Sequence, residues 1–355
     1  MNDQLLQKFT AAADTAVINA MSKIDGNARG ILFVVDGGGR LIGCVTDGDI
    51  RRWIIKTGDL NAPAEQYMNR GPRALPLERR KEAPAYMRAH GIRTVPLLDA
   101  DNRIADIIFA DGVLVLQQHK KESLKNTPVV IMAGGMGTRL YPYTKILPKP
   151  LIPIGDVPIL ERIINRFCEY GVSRYYLTLN YRKGMIKSYF ADLAPAYEMC
   201  YVEEDKPLGT AGSIKLIRDT FDSPVIVTNC DTLIDADYAG LMEHHVSSGN
   251  VLTVVSALKN IVIPYGVMHT GERGAVVSIE EKPKMSYFVN TGFYVLNPEL
   301  IQKIPDDTVF HMPDLADQLI REGYQVGMYP IGEDAFLDMG EFEEMRRMEK
   351  KLNPE

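Results

Sequence analysis

The chain has 355 residues, 46% apolar and 24% charged, with 40 basic and 46 acidic side chains for a formal net charge of −6. This composition excludes disordered, collagenous and low-complexity classes, and the length allows two cores of ordinary size, about 100–200 residues each. No apolar run approaches the ~18–20 residues that cross a bilayer. Met1-Asn2-Asp3-Gln4 opens without the basic and apolar regions of a signal peptide, so a cytoplasmic location is expected. Cys44, Cys168, Cys200 and Cys230 are too scattered for a disulfide framework or a CxxC metal site and are expected to be reduced, packed as small hydrophobes. Charge divides unevenly: residues 1–126 carry 18 basic and 15 acidic side chains, residues 127–355 carry 22 and 31. Neither part has the basic excess of a nucleic-acid footprint.

The first part contains a repeat. Val34-Val35-Asp36-Gly37-Gly38-Gly39-Arg40-Leu41-Ile42-Gly43 is echoed 63 residues later by Leu97-Leu98-Asp99-Ala100-Asp101-Asn102-Arg103-Ile104-Ala105. Each copy reads as two apolar strands joined by a turn. Helical stretches are expected from Asp49 to Lys56 and from Arg79 to His90. Units of this size bury little alone, so the two are expected to pack together.

Residues ~8–116 resemble a tandem pair of CBS domains, with Gly43-Cys44-Val45-Thr46-Asp47-Gly48-Asp49 matching the family motif. The resemblance implies an α+β regulatory pair with an adenine nucleotide as possible ligand, its phosphate and ribose held by Thr46 and Asp49. The second copy departs: Asp106, Phe109 and Gly112 stand at the equivalent positions, and Phe109 supplies no hydroxyl. A purely structural or dimerising role is the competing reading.

Gln117 to Asn126 is polar and Lys-rich and reads as a linker, giving expected domains 1–120 and 127–355. Beyond it, Val129-Val130-Ile131-Met132-Ala133 is a buried strand running into Gly134-Gly135-Met136-Gly137-Thr138-Arg139-Leu140, a loop whose backbone N–H groups can approach phosphate. A dinucleotide fingerprint needs Gly where Leu140 stands, and a Walker loop needs a Lys that does not come until Lys145, so neither applies. Pro148-Lys149-Pro150 adds a fixed ammonium to the Arg139 guanidinium. Asp156 before Pro158 reads as a helix cap, and Ile159, Leu160, Ile163, Ile164, Phe167 and Cys168 as a core stripe. The strand Pro224 to Thr228 ends in Asn229-Cys230-Asp231, where open α/β sheets bind ligands. None of His90, His119, His244, His245, His269 and His311 has metal-site spacing, and all are expected to be core or surface residues.

The Gly-rich loop with Pro-Lys-Pro-Leu resembles the sugar-phosphate nucleotidylyltransferases, and further motifs follow in the family's order across residues 128–345. The resemblance implies a Rossmann-like, GT-A-like mixed-sheet α/β domain. It implies that Ala133, Gly134, Gly135, Gly137, Thr138, Gly209, Thr210, Ala211 and Gly212 bind nucleotide and that Gly266, Glu281, Asn290 and Thr291 face the sugar. Arg139, Lys149 and Lys282 are the implied catalytic cations, and Asp231 and Asp338 the implied ligands of Mg²⁺. Departures are Cys230 for the family's Gly, Phe336 for Trp and Glu341 for Thr; Asp235 and Asp237 are solvated alternatives. A helical segment is expected from Ser213 to Arg218. No counterpart of the C-terminal hexapeptide β-helix of some relatives is expected, so a homo-oligomer would rest on the CBS pair or the catalytic domain.

The implied substrates are a nucleoside triphosphate and a sugar 1-phosphate. The Gly-Thr-Ala-Gly loop resembles that of guanylyl-, cytidylyl- and some uridylyl-transferring members rather than the thymidylyl branch, and the CBS-plus-catalytic order resembles glucosamine-1-phosphate guanylyltransferases of bacterial legionaminic acid synthesis; together the resemblances imply GTP and glucosamine 1-phosphate. Mannose- or heptose-1-phosphate guanylyltransferase, transfer of another base, and a non-catalytic adenine-nucleotide sensor are the alternatives.

Overall fold

The computed structural model describes residues 3–27, 29–110 and 122–352. The first part of the expected linker, Gly112 and His119 lie outside the described residues. Helix Asp3–Phe9 leads into β1 (Thr10–Ala12), helix Val17–Asn27, β2 (Ile31–Val35), β3 (Leu41–Thr46) and helix Asp47–Thr57. The second repeat supplies β4 (Leu75–Pro76), helix Ala83–His90, β5 (Thr94–Leu98) and β6 (Ile104–Phe109). Each repeat forms a three-stranded sheet in the same order, β1-β2-β3 and β4-β5-β6, with the expected hairpin as its antiparallel pair. The stretch expected as one helix from Arg79 is a 3-10 turn, Leu77–Glu82, broken at Arg79, followed by the α-helix from Ala83. Pro84, which lacks an N–H, suits the first turn of a helix and not its interior.

The two sheets meet through Phe9, Phe33, Cys44 and Ile107, which share a buried cluster. Leu41 N–H also donates to Asn102 O at 2.9 Å across the repeats. Thr46 caps helix Asp47–Thr57: its Oγ1 accepts from Asp49 N–H at 3.3 Å, and the Asp49 carboxylate accepts from Thr46 N–H at 2.9 Å. Both side chains thus have a local helix-capping role. In the second repeat Asp106 pairs with Arg80, and Phe109 packs on Phe9 at 4.9 Å between ring centroids.

The remaining strands are β7 (Val129–Met132), β8 (Pro153–Ile154), β9 (Val157–Pro158), β10 (Arg174–Leu179), β11 (Glu198–Glu203), β12 (Val225–Asn229), β13 (Thr232–Ile234), β14 (Leu252–Val262), β15 (Gly266–Thr270), β16 (Val276–Glu281), β17 (Lys284–Leu296), β18 (Val326–Ile331) and β19 (Phe336–Asp338). Seven form a mixed sheet in the order β11-β10-β7-β12-β17-β14-β18, parallel from β11 to β12, with β17 antiparallel to both its neighbours. Its continuous apolar strands are explained by two cores. Val129 and Ile131 face one, with helix Ile159–Cys168, and Val130 and Met132 face the other, with helix Met312–Arg321.

Three local expectations need correction. Helix Ile159–Cys168 has Pro158 at its N-cap and no side-chain cap, and Asp156 stands in the turn between β8 and β9. Cys168 is exposed, since the buried stripe ends at Phe167, and Cys200 is only partly buried. The helical turn after Leu208 starts within the glycine motif, as Gly209–Gly212, continues as the 3-10 turn Ser213–Leu216 and stops before Arg218. Among the described residues no helix is long and apolar enough to cross a membrane.

Candidate active site

Strands β7 and β12 are parallel neighbours, so the chain leaves both at the same sheet edge. From β7 it enters the glycine loop; from β12 it reaches Asp231. The loop lies directly on the Pro-Lys-Pro segment: a Cβ added at Gly137 would come within 3.0 Å of both Lys149 Cβ and Thr144 Cγ2, and Thr144 Oγ1 donates to Gly137 O at 2.8 Å. Lys149 is buried and its Nζ is ion-paired with Asp231 Oδ2. The cation foreseen beside the loop therefore sits behind Asp231, holding the carboxylate in place.

Asp338 arrives from the far end of the domain. Strand β19 pairs antiparallel with β13, opposing Thr232 to Asp338, and Met339 N–H donates to Asp231 O at 2.9 Å. Both carboxylates line a cavity of about 330 Å³, together with Arg139, Asn290, Thr291 and Thr210. Burial raises the Asp338 carboxyl above the usual range and the Asp231 charge adds to that, against Lys149 and Arg139. Two carboxylates that repel each other in a partly desolvated cavity suit a divalent cation that completes its shell with phosphate oxygens and water. Among the described residues no group of three or more His, Cys, Asp or Glu converges on one point, so such an ion would rest on these two. A second cavity of about 270 Å³ shares Arg139, Phe336 and Asp338 and adds Lys259, Glu341 and Glu344.

Of the residues expected at the sugar side, the cavity brings in Asn290 and Thr291 but not Gly266, Glu281 or Lys282. Gly266 and Glu281 oppose each other on the β15–β16 hairpin, Lys282 follows in the bend before β17, and both Glu281 and Lys282 are exposed. Asp235 is bonded to Arg166 at 3.1 Å and Asp237 stands at a helix N-cap, and neither lines the cavity. Cys230, buried beside the site with its thiol pushed up to about 12 by burial, contributes packing.

Two residues were missed by the sequence reading. His311, expected to be a core or surface residue, lines the cavity, and its Nδ1 accepts from Thr210 N–H at 3.3 Å. Its position at the N-cap of helix Met312–Arg321 follows from chain folding and carries no local spacing signal. Glu204 is only 4% exposed, and burial raises its carboxyl pKa. Its Oε2 accepts from Leu208 N–H at 3.0 Å, and its Oε1 lies 2.6 Å from where a Cβ of Gly134 would stand. Glu204 therefore occupies the junction of the glycine loop and the Leu208 loop. The available signal was a carboxylate directly after a strand, four residues before Leu208-Gly209.

Residues 128–354 match the family described as Nucleotidyl transferase, and the chain belongs to that family; residues 1–56 match the CBS domain. The chain is 32% identical to D-glycero-alpha-D-manno-heptose 1-phosphate guanylyltransferase of Campylobacter jejuni, over 59% of its own length and 93% of that protein. It is also 32% identical to UTP–glucose-1-phosphate uridylyltransferase of Synechocystis, over 56% of its own length and 57% of the relative. With a Dictyostelium discoideum mannose-1-phosphate guanylyltransferase catalytic subunit beta the identity is 31%, covering 49% and 51%. The chain thus spans about half the length of the latter two relatives. Among solved structures, HddC from Yersinia pseudotuberculosis aligns with a TM-score of 0.51 and 28% identity, covering 64% of this chain and all of that one.

Proposed function

We propose that residues 127–355 transfer a nucleotidyl group from a nucleoside triphosphate, GTP by preference, to a sugar 1-phosphate, releasing pyrophosphate, and that residues 1–120 are a regulatory pair. The observation that carries the transfer is the convergence of Arg139, Asp231 and Asp338 on one cavity, with Lys149 behind Asp231 and the glycine loop beside it. A sugar 1-phosphate oxygen attacks the α-phosphorus in line; the new P–O bond forms as the bond to pyrophosphate breaks. The nucleophile is already ionised at pH 7, so no general base is needed, and catalysis is alignment and charge neutralisation. Asp231 and Asp338 would hold Mg²⁺, which when bound neutralises phosphate charge. Arg139 and the loop N–H groups hold the leaving pyrophosphate, and Lys149 keeps Asp231 oriented. Lys282 presents the sugar phosphate, which requires the hairpin to come over the cavity.

Glu204 supports guanine. Glu204 is buried and lines neither cavity, but its carboxylate lies at the junction where the base is expected; uncovered by movement of the Leu208 loop, it would offer acceptors that match the adjacent N1–H and N2–H donors of guanine, where uracil offers a single ring N–H. Glucosamine 1-phosphate is the favoured acceptor, from the domain order. The second reading, heptose 1-phosphate, is favoured by the match over 93% of the Campylobacter enzyme.

Pyrophosphate release across a matrix of triphosphates and sugar 1-phosphates, with and without AMP or ATP, tests these assignments. GTP with one sugar 1-phosphate is expected to turn over fastest, and Glu204→Gln is expected to lower GTP discrimination by about 10- to 100-fold. Release from no pair would overturn the transferase reading in favour of an adenine-nucleotide sensor, and unchanged base preference in the variant would remove Glu204 from base reading. A response to adenylate would support a ligand at Thr46 and Asp49.

A further inference from the structure

The N-terminal pair is fused to the catalytic sheet at its β18 edge. Leu258 of β14 is buried in the same cluster as Val17, Ile24, Leu32, Ile50 and Ile54, with Phe288 and Met328 packed against it. Two polar contacts at this seam grip one short stretch of chain. Arg51, on helix Asp47–Thr57, has its guanidinium 4.3 Å from the centre of the Tyr329 ring, and its Nε donates to Pro330 O at 3.2 Å. It is also ion-paired with Asp47, and its side chain is 17% exposed. Two residues on, Gly332 lies under the carboxylate of Asp25 from helix Val17–Asn27, so closely that a Cβ there would overlap it. Asp25 accepts from the backbone N–H of Glu333.

The gripped segment, Tyr329 to Glu333, runs from the end of β18 through the turn Glu333–Ala335 into β19, which carries Asp338. From the catalytic side β19 is fixed by its pairing with β13, the Met339–Asp231 hydrogen bond and the burial of Leu337 and Met339, and the connector by the Asp235 N–H to Ala335 O bond and the Lys259–Glu333 ion pair. On the other side the connector is held by Asp25 and Arg51, and by Arg347 and Lys351, which bind the Asp334 carboxylate and carbonyl.

We propose that Asp25 and Arg51 of the N-terminal pair are positioning residues for Asp338, clamping the connector that delivers this carboxylate opposite Asp231. The N-terminal module is then part of the catalytic framework, and anything that shifts helix Asp47–Thr57, whose N-cap is Thr46, reaches Asp338 through Arg51. This rests on the transferase reading for its kinetic consequence but not for its structural one.

Two variants of the full chain test it. Arg51→Ala removes the ring stack and the Pro330 bond; Gly332→Ala fills the seat of the Asp25 carboxylate at an extended backbone position that Ala accepts (φ −70°, ψ 162°). Each is expected to lower kcat about 3- to 30-fold with KM for the triphosphate unchanged. In each, hydrogen exchange at residues 336–339 should accelerate about tenfold while β7 and β12 keep their protection. Wild-type kcat and wild-type exchange at 336–339 in either variant would overturn the proposal. So would a loss of protection across the whole sheet, since the seam would then serve global stability and not the placement of Asp338. The exchange measurement needs no turnover, so failure of the clamp is distinguishable from failure of the transferase reading.

Discussion

Asp231 and Asp338 meet because two short strands are laid side by side in fixed register, whereas Glu281 and Lys282 end a hairpin whose second strand, Val276–Glu281, is exposed along its whole length. Of the four, only the first pair lines the cavity. The difference is one of support. Asp231 follows a strand buried on both faces, and Asp338 is locked by the Met339–Asp231 hydrogen bond. The hairpin instead presents Val277 and Ile279 at 73% and 66% exposure. In the proposed mechanism the groups assigned to hold charge sit on the sheet, and those assigned to the sugar sit on an exposed arm.

The comparison breaks first at the rigid pair. Asp231→Asn is expected to reduce kcat about 100- to 1000-fold, and since it leaves the buried Lys149 ammonium without its carboxylate, thermal stability falls as well. Turnover near wild type, measured where circular dichroism shows the variant folded, would remove Asp231 from the machinery. At the arm, Lys282→Ala is expected to raise KM for the sugar 1-phosphate about tenfold and leave Tm unchanged, because the residue is exposed. A change in triphosphate KM alone would instead place Lys282 on the nucleotide.

A further effect, read in stability and not in turnover, is a pH dependence at the domain seam. The Asp25 carboxyl is pushed up to about 6, first by burial, then by the charges of Asp334 and Asp47, against the Glu333 N–H and Lys351. A raised acid pKa means that the folded state binds the proton more tightly than the unfolded one. This contribution is therefore full below the ordinary value of 3.8 and is lost as pH rises through about 6. Asp25→Asn should gain stability relative to wild type between pH 4 and 7, by on the order of 1–3 kcal/mol, read from urea midpoints. Parallel stability profiles of the two proteins across that range would show that Asp25 titrates normally.

Much of this was legible in the sequence wherever a local pattern fixes a local structure. The repeat hairpins, the strand before the glycine loop and the stripe from Ile159 to Phe167 all depend on neighbours a few residues away. Asp231 and Asp338 were legible as motif residues, but the ladder that joins them was not, since three-residue strands have no periodicity to read. His311 lacked a local signal and Glu204 offered only a carboxylate after a strand, because their places come from contacts with Thr210 and Gly134 made only after folding. The cap assigned to Asp156 failed for the converse reason: the motif was present, but the β8–β9 turn claimed the residue.

The β13–β19 ladder also bears on how the protein is made. A ribosome delivers Asp231 well before its partner strand, and β7, β10, β11 and β12 can assemble while β19 is still unsynthesised. During that interval β13 lacks its pairing strand and Asp231 O lacks the Met339 N–H. A chain interrupted before Asp338 would carry all seven strands of the main sheet but not the paired carboxylates on which the proposed chemistry rests.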